Sequence, residues 1–218
     1  MKKIICAILT VILSVLVVSC KSQIDYTVYV SELRTNIYQG EKDDVKLIMY
    51  TGLREDPYIA DGYVGQIKNF VTVRLVSVPE SADGVTVSLK YGKESIDGTF
   101  EYHPIGGKYV AQFEVDTLPT EPTISATVNV GGEDVVINLA TLKNSECIEY
   151  KQAIASVKKY DEKIFSELFD TNQVKAEIHI RLLSDGEKNY YYVGVVDKDC
   201  NSYAYLVDAL SGITIAKK

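Results

Sequence analysis

"GGKYVAQFEVDTLPTEPTISATVNVGGEDVVINL", residues 106–139, alternates apolar and polar positions in three runs: Tyr109-Ala111-Phe113-Val115, Ile124-Ala126-Val128-Val130 and Val135-Ile137-Leu139. A period of two puts every second side chain on one side of a half-buried strand. Gly106-Gly107 and Gly131-Gly132 bound these runs with residues suited to turns that need positive φ. The pattern extends upstream through Tyr26-Val28-Val30, Phe70 to Leu75 and Val85-Val87-Leu89, with Asp61-Gly62, Asp83-Gly84 and Asp97-Gly98 between strands. Six or more short strands without intervening helices predict an antiparallel sandwich over residues 25–142.

The period changes at Ser145, a plausible helix cap. Tyr150, Ala153, Ile154, Val157, Ile164, Phe165 and Leu168 follow an i, i+3, i+4 rhythm, which predicts one long helix, with Tyr160-Asp161 inside the stripe as a place for a break. After Asp170-Thr171-Asn172 come strand-like runs at Val174 to Leu183, Tyr190 to Val196, Tyr203 to Val207 and, briefly, Ile213 to Ala216. The expected fold class is mainly β with an α+β portion: a sandwich followed, over residues 145–218, by a helix packed on a three- to four-stranded antiparallel sheet.

Two family resemblances attach to these segments. Residues 106–139 look like the closing strands of bacterial immunoglobulin-like modules, although neither Cys nor Trp marks the core as in antibody domains. "NYYYVGVVDKDCNSYAYLVDALSGITIAKK", residues 189–218, is similar to the end of PepSY-type domains, where a strand leads into Asp-Ala-x-Thr-Gly and a brief last strand; Asp208-Ala209-Leu210-Ser211-Gly212 is the match. Asp208 and Ser211 can bond turn amides there, and Gly212 can take positive φ. The PepSY likeness covers about the last 70 residues and implies peptidase regulation as one role.

Catalytic patterns are scarce. The two histidines, His103 and His179, fall in different expected domains, which argues against a conventional triad. The sequence holds no Gly-x-Ser-x-Gly, His-Glu-x-x-His, phosphate loop or Cys-x-x-Cys. Asp197, Asp199, Asn201 and Asp208 occupy positions 1, 3, 5 and 12 of a calcium loop, but Ser202 stands where such loops need Gly, and a strand over 203–207 carries Asp208 far from Asp197. A hairpin turn is the expected reading. Cys147 and Cys200 are candidates for a disulfide in an exported protein, but a helix of about 20 residues between them separates their elements by roughly 30 Å. Reduced thiols are the default. No cofactor and no metal site is expected, and two-carboxylate chemistry has no discriminating power among 30 acids.

The second sheet offers a candidate binding face. Alternation places Ala176, Ile178, Ile180 and Leu182 with Tyr191, Val193, Val195, Ala204 and Leu206 against the helix. The other face then carries Lys175, Glu177, His179 and Arg181 beside Tyr190, Tyr192, Tyr203 and Tyr205. Tyrosine with arginine is a composition enriched at interface centres. Tyr192 and Tyr205 are the expected anchors of a protein or peptide partner, and His179 a source of pH sensitivity. The plain alternatives are packing on the first domain or ordinary strand tyrosines.

The amino terminus places the protein. MKK precedes an apolar run, Ile4 to Val18, interrupted only by Thr10 and Ser14. This has the form of a secretion signal over residues 1–19 and is short for a permanent membrane span. Val17-Val18-Ser19-Cys20 resembles the lipobox of bacterial lipoprotein precursors, which implies lipidation at Cys20 and a short linker over residues 20–24. Acyl chains contribute about 0.8 kcal/mol per buried methylene, enough for two or three to hold a domain at a membrane. Removing Lys2 and Lys3 leaves 21 basic against 30 acidic residues, net −9, a poor surface for nucleic acid. The leading expectation is a lipid-anchored, extracytoplasmic, non-enzymatic protein that binds or regulates another envelope or secreted protein; a small-ligand carrier and an envelope enzyme are the alternatives. Cys20→Ala is expected to leave the protein unlipidated in metabolic labelling with a fatty-acid analogue, and continued incorporation rules the assignment out.

Overall fold

The computed structural model describes residues 24–77, 84–104, 107–170 and 173–218. Cys20, the signal segment 1–19, and the expected turn residues Asp83, Gly106, Thr171 and Asn172 lie outside the described residues. The described residues are mainly β, a curled and largely antiparallel sheet with two α-helices.

The first element corrects an expectation. Tyr26–Tyr29 is a 3-10 turn rather than strand, because Asp25 Oδ1 accepts the Thr27 amide at 3.0 Å and its hydroxyl at 2.7 Å and bends the chain. The strand begins where the turn ends. β1 (Val30–Lys42) and β2 (Val45–Glu55) form a long hairpin, closed by Asp43 and Asp44 at positive φ. There follow β3 (Ile67–Ser77), β4 (Thr86–Tyr91), β5 (Glu94–Thr99), β6 (Glu101–His103), β7 (Lys108–Val115), β8 (Thr123–Val130) and β9 (Glu133–Thr141).

β2, β3, β7 and β6 continue the sheet from β1 on one side, and β9, β8, β4 and β5 curl over from the later part of β1 at Tyr38 and Gln39. Leu47, Met49, Val71 and Val73 thereby meet Val87, Leu89, Ala126, Val128 and Leu139 in a first core. Tyr38, fully buried in it, donates its hydroxyl to Pro119 O at 3.4 Å.

The second half begins with α1 (Tyr150–Tyr160) and α2 (Glu162–Leu168), followed by a short pair, β10 (Phe169–Asp170) and β11 (Gln173–Val174). β12 (Ala176–Ser184), β13 (Asn189–Asp197), β14 (Ser202–Asp208) and β15 (Thr214–Lys217) then run antiparallel in sequence order. The helix starts at Tyr150, not Ser145, because Asn189 ties down residues 142 and 144 and Ser145 falls in a turn closed by Cys147 N donating to Asn144 O at 3.2 Å. The Asn189 side chain accepts from the Asn144 amide at 2.8 Å and donates to Leu142 O at 3.0 Å. Glu149 and Gln152 supply the capping box instead. The helical stripe does break at Asp161, which ends α1 at φ −134° and starts α2 by accepting the Ile164 amide.

Ala153, Ile154, Val157 and Phe165 pack on Ile178, Ile180, Val193, Val195, Tyr205 and Val207 in a second core. Leu33 and Ile37 of β1 complete it, with Tyr26 and Tyr29 at its edge, so the second core draws on both segments, 25–142 and 145–218. The physical link is a parallel pairing in which Val30, Glu32, Leu33 and Arg34 oppose Ile178, His179, Ile180 and Arg181. The four strands of the second half and those of the first thus share one sheet.

One expected face is reversed. β13 and β14 pair Tyr192 with Leu206, Val193 with Tyr205 and Val195 with Tyr203. Opposed residues share a face, so Tyr203 and Tyr205 point toward the helices and Ala204 and Leu206 lie on the open side. Tyr-Ala-Tyr-Leu-Val is apolar enough at both parities for alternation to leave the register open. What selects this one is an acceptor for the phenol: Tyr205, 1% exposed, donates to Asp161 Oδ2 at 2.9 Å, and Lys217 also bonds that carboxylate. Burial, with Asp161 beside it, pushes the Tyr205 phenol upward. The bond from Lys217, then that from Tyr205, holds Asp161 below the usual carboxylate range. The contribution of Asp161 to stability is therefore complete above the ordinary carboxylate pKa and lost as pH falls through the lowered one. Tyr205→Phe should cost about 1 to 2 kcal/mol in urea unfolding at neutral pH, and Tyr205→Ser about 3 to 5 kcal/mol by cavity formation. Unchanged stability in both variants would contradict this placement.

Candidate functional site

The open side of the shared sheet collects all four arginines of a chain whose net charge is −7. Register makes this a geometric consequence. Arg34 opposes Gly52 on β2 and Arg181 on β12; Glu32 opposes Arg54 and His179; Arg181 opposes Tyr192 on β13; Gly52 opposes Phe70 on β3. Each guanidinium near the centre lies on a ring: Arg34 is 4.1 Å from the Tyr50 centroid, Arg54 3.8 Å from Phe70 and Arg181 5.6 Å from Tyr192. Arg54 also donates to Gln112 Oε1 at 3.0 Å. Arg181 grips Glu32 with two bonds, 2.7 and 2.6 Å.

Arg34 and Arg74 form no salt bridge among the described residues. Burial, with like charge from Arg181 and Arg74 adding to it, lowers the Arg34 pKa from its ordinary value. Around Arg34 the face dips into a cavity of about 220 Å³ lined by Glu32, Tyr50, Gly52, Arg54, Phe70 and Gln112. Gly52 is required there: β1 bulges between Arg34 and Asn36, and a Cβ on residue 52 would stand 2.1 Å from Leu33 O. The chemistry available is that of a rigid, ring-backed cationic surface, suited to carboxylate or phosphate oxygens.

A second cavity, about 370 Å³, opens at the edge of this face, where the loop 56–66 leaves β2 and crosses toward β12. Its walls include Ser31, Glu32, Glu55, Tyr58, His179 and Arg181. The loop fixes two buried carboxylates with backbone amides: Gly65 N donates to Glu55 Oε1 at 2.6 Å and Gly62 N to Glu177 Oε1 at 3.2 Å. Tyr58 stands edge-on to the His179 ring, with centroids 5.2 Å apart.

Among the described residues, the buried side-chain polar atoms without a hydrogen-bond partner are Ser31 Oγ, Glu55 Oε2, Glu177 Oε2 and His179 Nε2, and all belong to this corner. The Ser31 hydroxyl is close enough to Glu177 to favour its ionised form, yet falls outside hydrogen-bonding geometry. Burial, reinforced by Glu55, nevertheless pushes the Glu177 carboxyl up. Burial, aided by Arg181, pushes His179 down against the pull of Glu32, whose Oε2 is 3.9 Å from Nδ1, which favours the neutral imidazole. The Tyr58 phenol is pushed up to about 12 by burial and by Glu177.

Of the residues expected at a binding face, His179, Arg181 and Tyr192 lie together here. Tyr190 is on the same strand but bonds Asp185 Oδ2 at 3.3 Å, away from both cavities. Tyr203 is half-buried and Tyr205 buried on the helix side, so neither belongs to the site. Alternation within one segment has no means of finding Glu32, Arg34, Arg54, Glu55 and Tyr58, because only the parallel pairing of β1 with β12 brings them to His179. Their legible trace is charge recurring at the polar positions of β1, β2 and β3.

Cys147 and Cys200 are both free. The Cys147 thiol, pushed up by burial, packs beside Asn189 and donates to its Oδ1 at 3.4 Å. Residues 197–201 form a hairpin turn in which Asp197 accepts the amides of Asp199 and Asn201, both at 2.9 Å. At Asp208 the turn chemistry is as expected, with Leu210, Ser211 and the Ser211 hydroxyl all donating to Oδ1 and Gly212 at φ 72°. The chain matches no protein-family model, no curated protein and no solved structure.

Proposed function

We propose that this chain is a lipid-anchored, non-enzymatic protein of the bacterial cell envelope that binds an acidic segment of another envelope or secreted protein. In this reading Cys20 is the membrane tether, the first core belongs to an immunoglobulin-like module, and the C-terminal strands form a PepSY-like module. The likeness of the last module makes a peptidase one candidate partner. The carrying observation is the convergence of every arginine of an acidic chain on one sheet face, with Arg34 and Arg74 lacking carboxylate partners among the described residues. Crowding like charges on a half-buried surface costs free energy that a bound anion offsets. Rings beneath the guanidinium groups hold them in place, which lowers the entropy lost on binding.

The second cavity favours a further reading, in which a small polar ligand occupies the corner of Ser31, Glu55 and His179.

The acidic-segment reading is tested by fluorescence anisotropy with the detergent-solubilised protein and a labelled ten-residue glutamate-rich peptide. Saturable binding that weakens with added salt is expected, with a poly-lysine peptide of the same length failing to bind. Arg34→Gln should weaken binding about tenfold or more, each charge-assisted bond being worth about 1.5 to 3 kcal/mol. Equal binding of both peptides, or indifference to Arg34→Gln, would overturn the proposal.

A further inference from the structure

Four buried polar atoms without partners in one corner of a fold are unusual, since each leaves the desolvation of a polar group uncompensated. Ser31 and Glu55 are 1% and 5% exposed, and with His179 they line the same cavity. A ligand for this corner must bring donors. Glu55 Oε2 is an acceptor, held in position because Gly65 N anchors the other oxygen. A Cβ on residue 65 would stand 2.6 Å from that oxygen, so any larger residue there would displace the carboxylate from this position. His179 faces Glu32 through Nδ1; with the imidazole proton there, Nε2 is an acceptor as well.

Charge selects among donor ligands. Of the acids at this corner, Glu32 is committed to Arg181 and Asp56 to Lys68 at 3.1 Å, while Glu55 and Glu177 have no salt bridge among the described residues. Arg54 keeps its charge but is held away on Phe70 and Gln112. Among the lining residues Glu32, Glu55 and Asp56 outnumber Arg54 and Arg181, so the balance is negative and disfavours an anion. No group of three or more His, Cys, Asp or Glu among the described residues is arranged to hold a metal ion. An ammonium has three donors, tolerates varied directions and gains from a nearby ring, here Tyr58 at the rim.

The geometry points to a binding site for a primary ammonium group in the cavity bounded by Ser31, Glu55, Tyr58 and His179, with its three N–H bonds directed to Ser31 Oγ, Glu55 Oε2 and His179 Nε2. The volume of about 370 Å³ admits the ammonium together with an alkyl stem of lysine length. Two sources share this chemistry, a lysine side chain of a polypeptide and a free alkylamine.

Heteronuclear NMR of the ¹⁵N-labelled full chain in detergent tests the site by titration with n-butylammonium chloride and, separately, with an end-blocked Ala-Lys-Ala peptide. Saturable shifts of the Gly62 and Gly65 amides and of the His179 ring are expected with butylammonium, and none with n-butanol. Tighter saturation by the peptide assigns the site to a polypeptide lysine; saturation by butylammonium alone assigns it to a free amine. Glu55→Gln keeps the acceptor for Gly65 but turns a donor toward the cavity, and should weaken binding at least fivefold. Ser31→Ala removes one acceptor by an independent route and should also weaken it. Absence of saturable shifts, shifts equal to those with n-butanol, or unchanged affinity in both folded variants would overturn the assignment. No acidic peptide is present, so failure of the acidic-segment reading leaves this result unaffected.

Discussion

The parallel pairing of β1 with β12 is the constraint from which the rest of the molecule follows. It joins residues about 147 positions apart, and Arg181 and Glu32 clasp across it with two charge-assisted bonds. At 40% and 26% side-chain exposure the pair is only partly desolvated, so it contributes on the order of 1 to 2 kcal/mol. Its larger effect is positional. It lays β1 between two groups of strands, sends Leu33 and Ile37 into the second core, and brings Arg34 beside Arg181 and Glu32 beside His179. Parallel neighbours require a long crossover connection, and here the crossover is the entire first core together with both helices.

The two cavities divide the charges that this junction gathers. On the sheet face, arginines lie on aromatic rings and Gly52 lets β1 bulge close to β2. At the rim, the loop 56–66 directs its amides at Glu55 and Glu177 and leaves one oxygen of each without a partner. Such an arrangement costs stability, because each of these atoms is removed from solvent without a protein bond in return. Glu32 belongs to both, bonding Arg181 on the face and lining the rim cavity.

Much of the local structure is legible in the sequence because it depends on neighbours along the chain. The strands at 70–75, 109–115 and 124–130, the helix break at Asp161 and the Asp208 turn each follow from period, capping or turn chemistry. What is illegible depends on partners far away. Tyr205 has a phenol that a one-segment reading assigns to solvent, until Asp161 provides an acceptor inside. Tyr26 begins an alternating run, but Asp25 turns it into a 3-10 turn. Half of the candidate site, His179, Arg181 and Tyr192, is visible on one segment. The other half, Glu32, Arg34, Glu55 and Tyr58, arrives with β1 and its hairpin, and no periodicity encodes which distant strand a strand will join.

Native-state hydrogen exchange measures the junction most directly, since amides report the free energy of the opening that exposes them. If β1 binds both cores into one unit, the amides of Leu33 and Ile180 at the junction should exchange with the same free energy, within about 0.5 kcal/mol, as those of Met49 and Val71 in the first core. An opening several kcal/mol lower that frees β12, β13 and both helices while β2 and β3 stay protected would contradict the account.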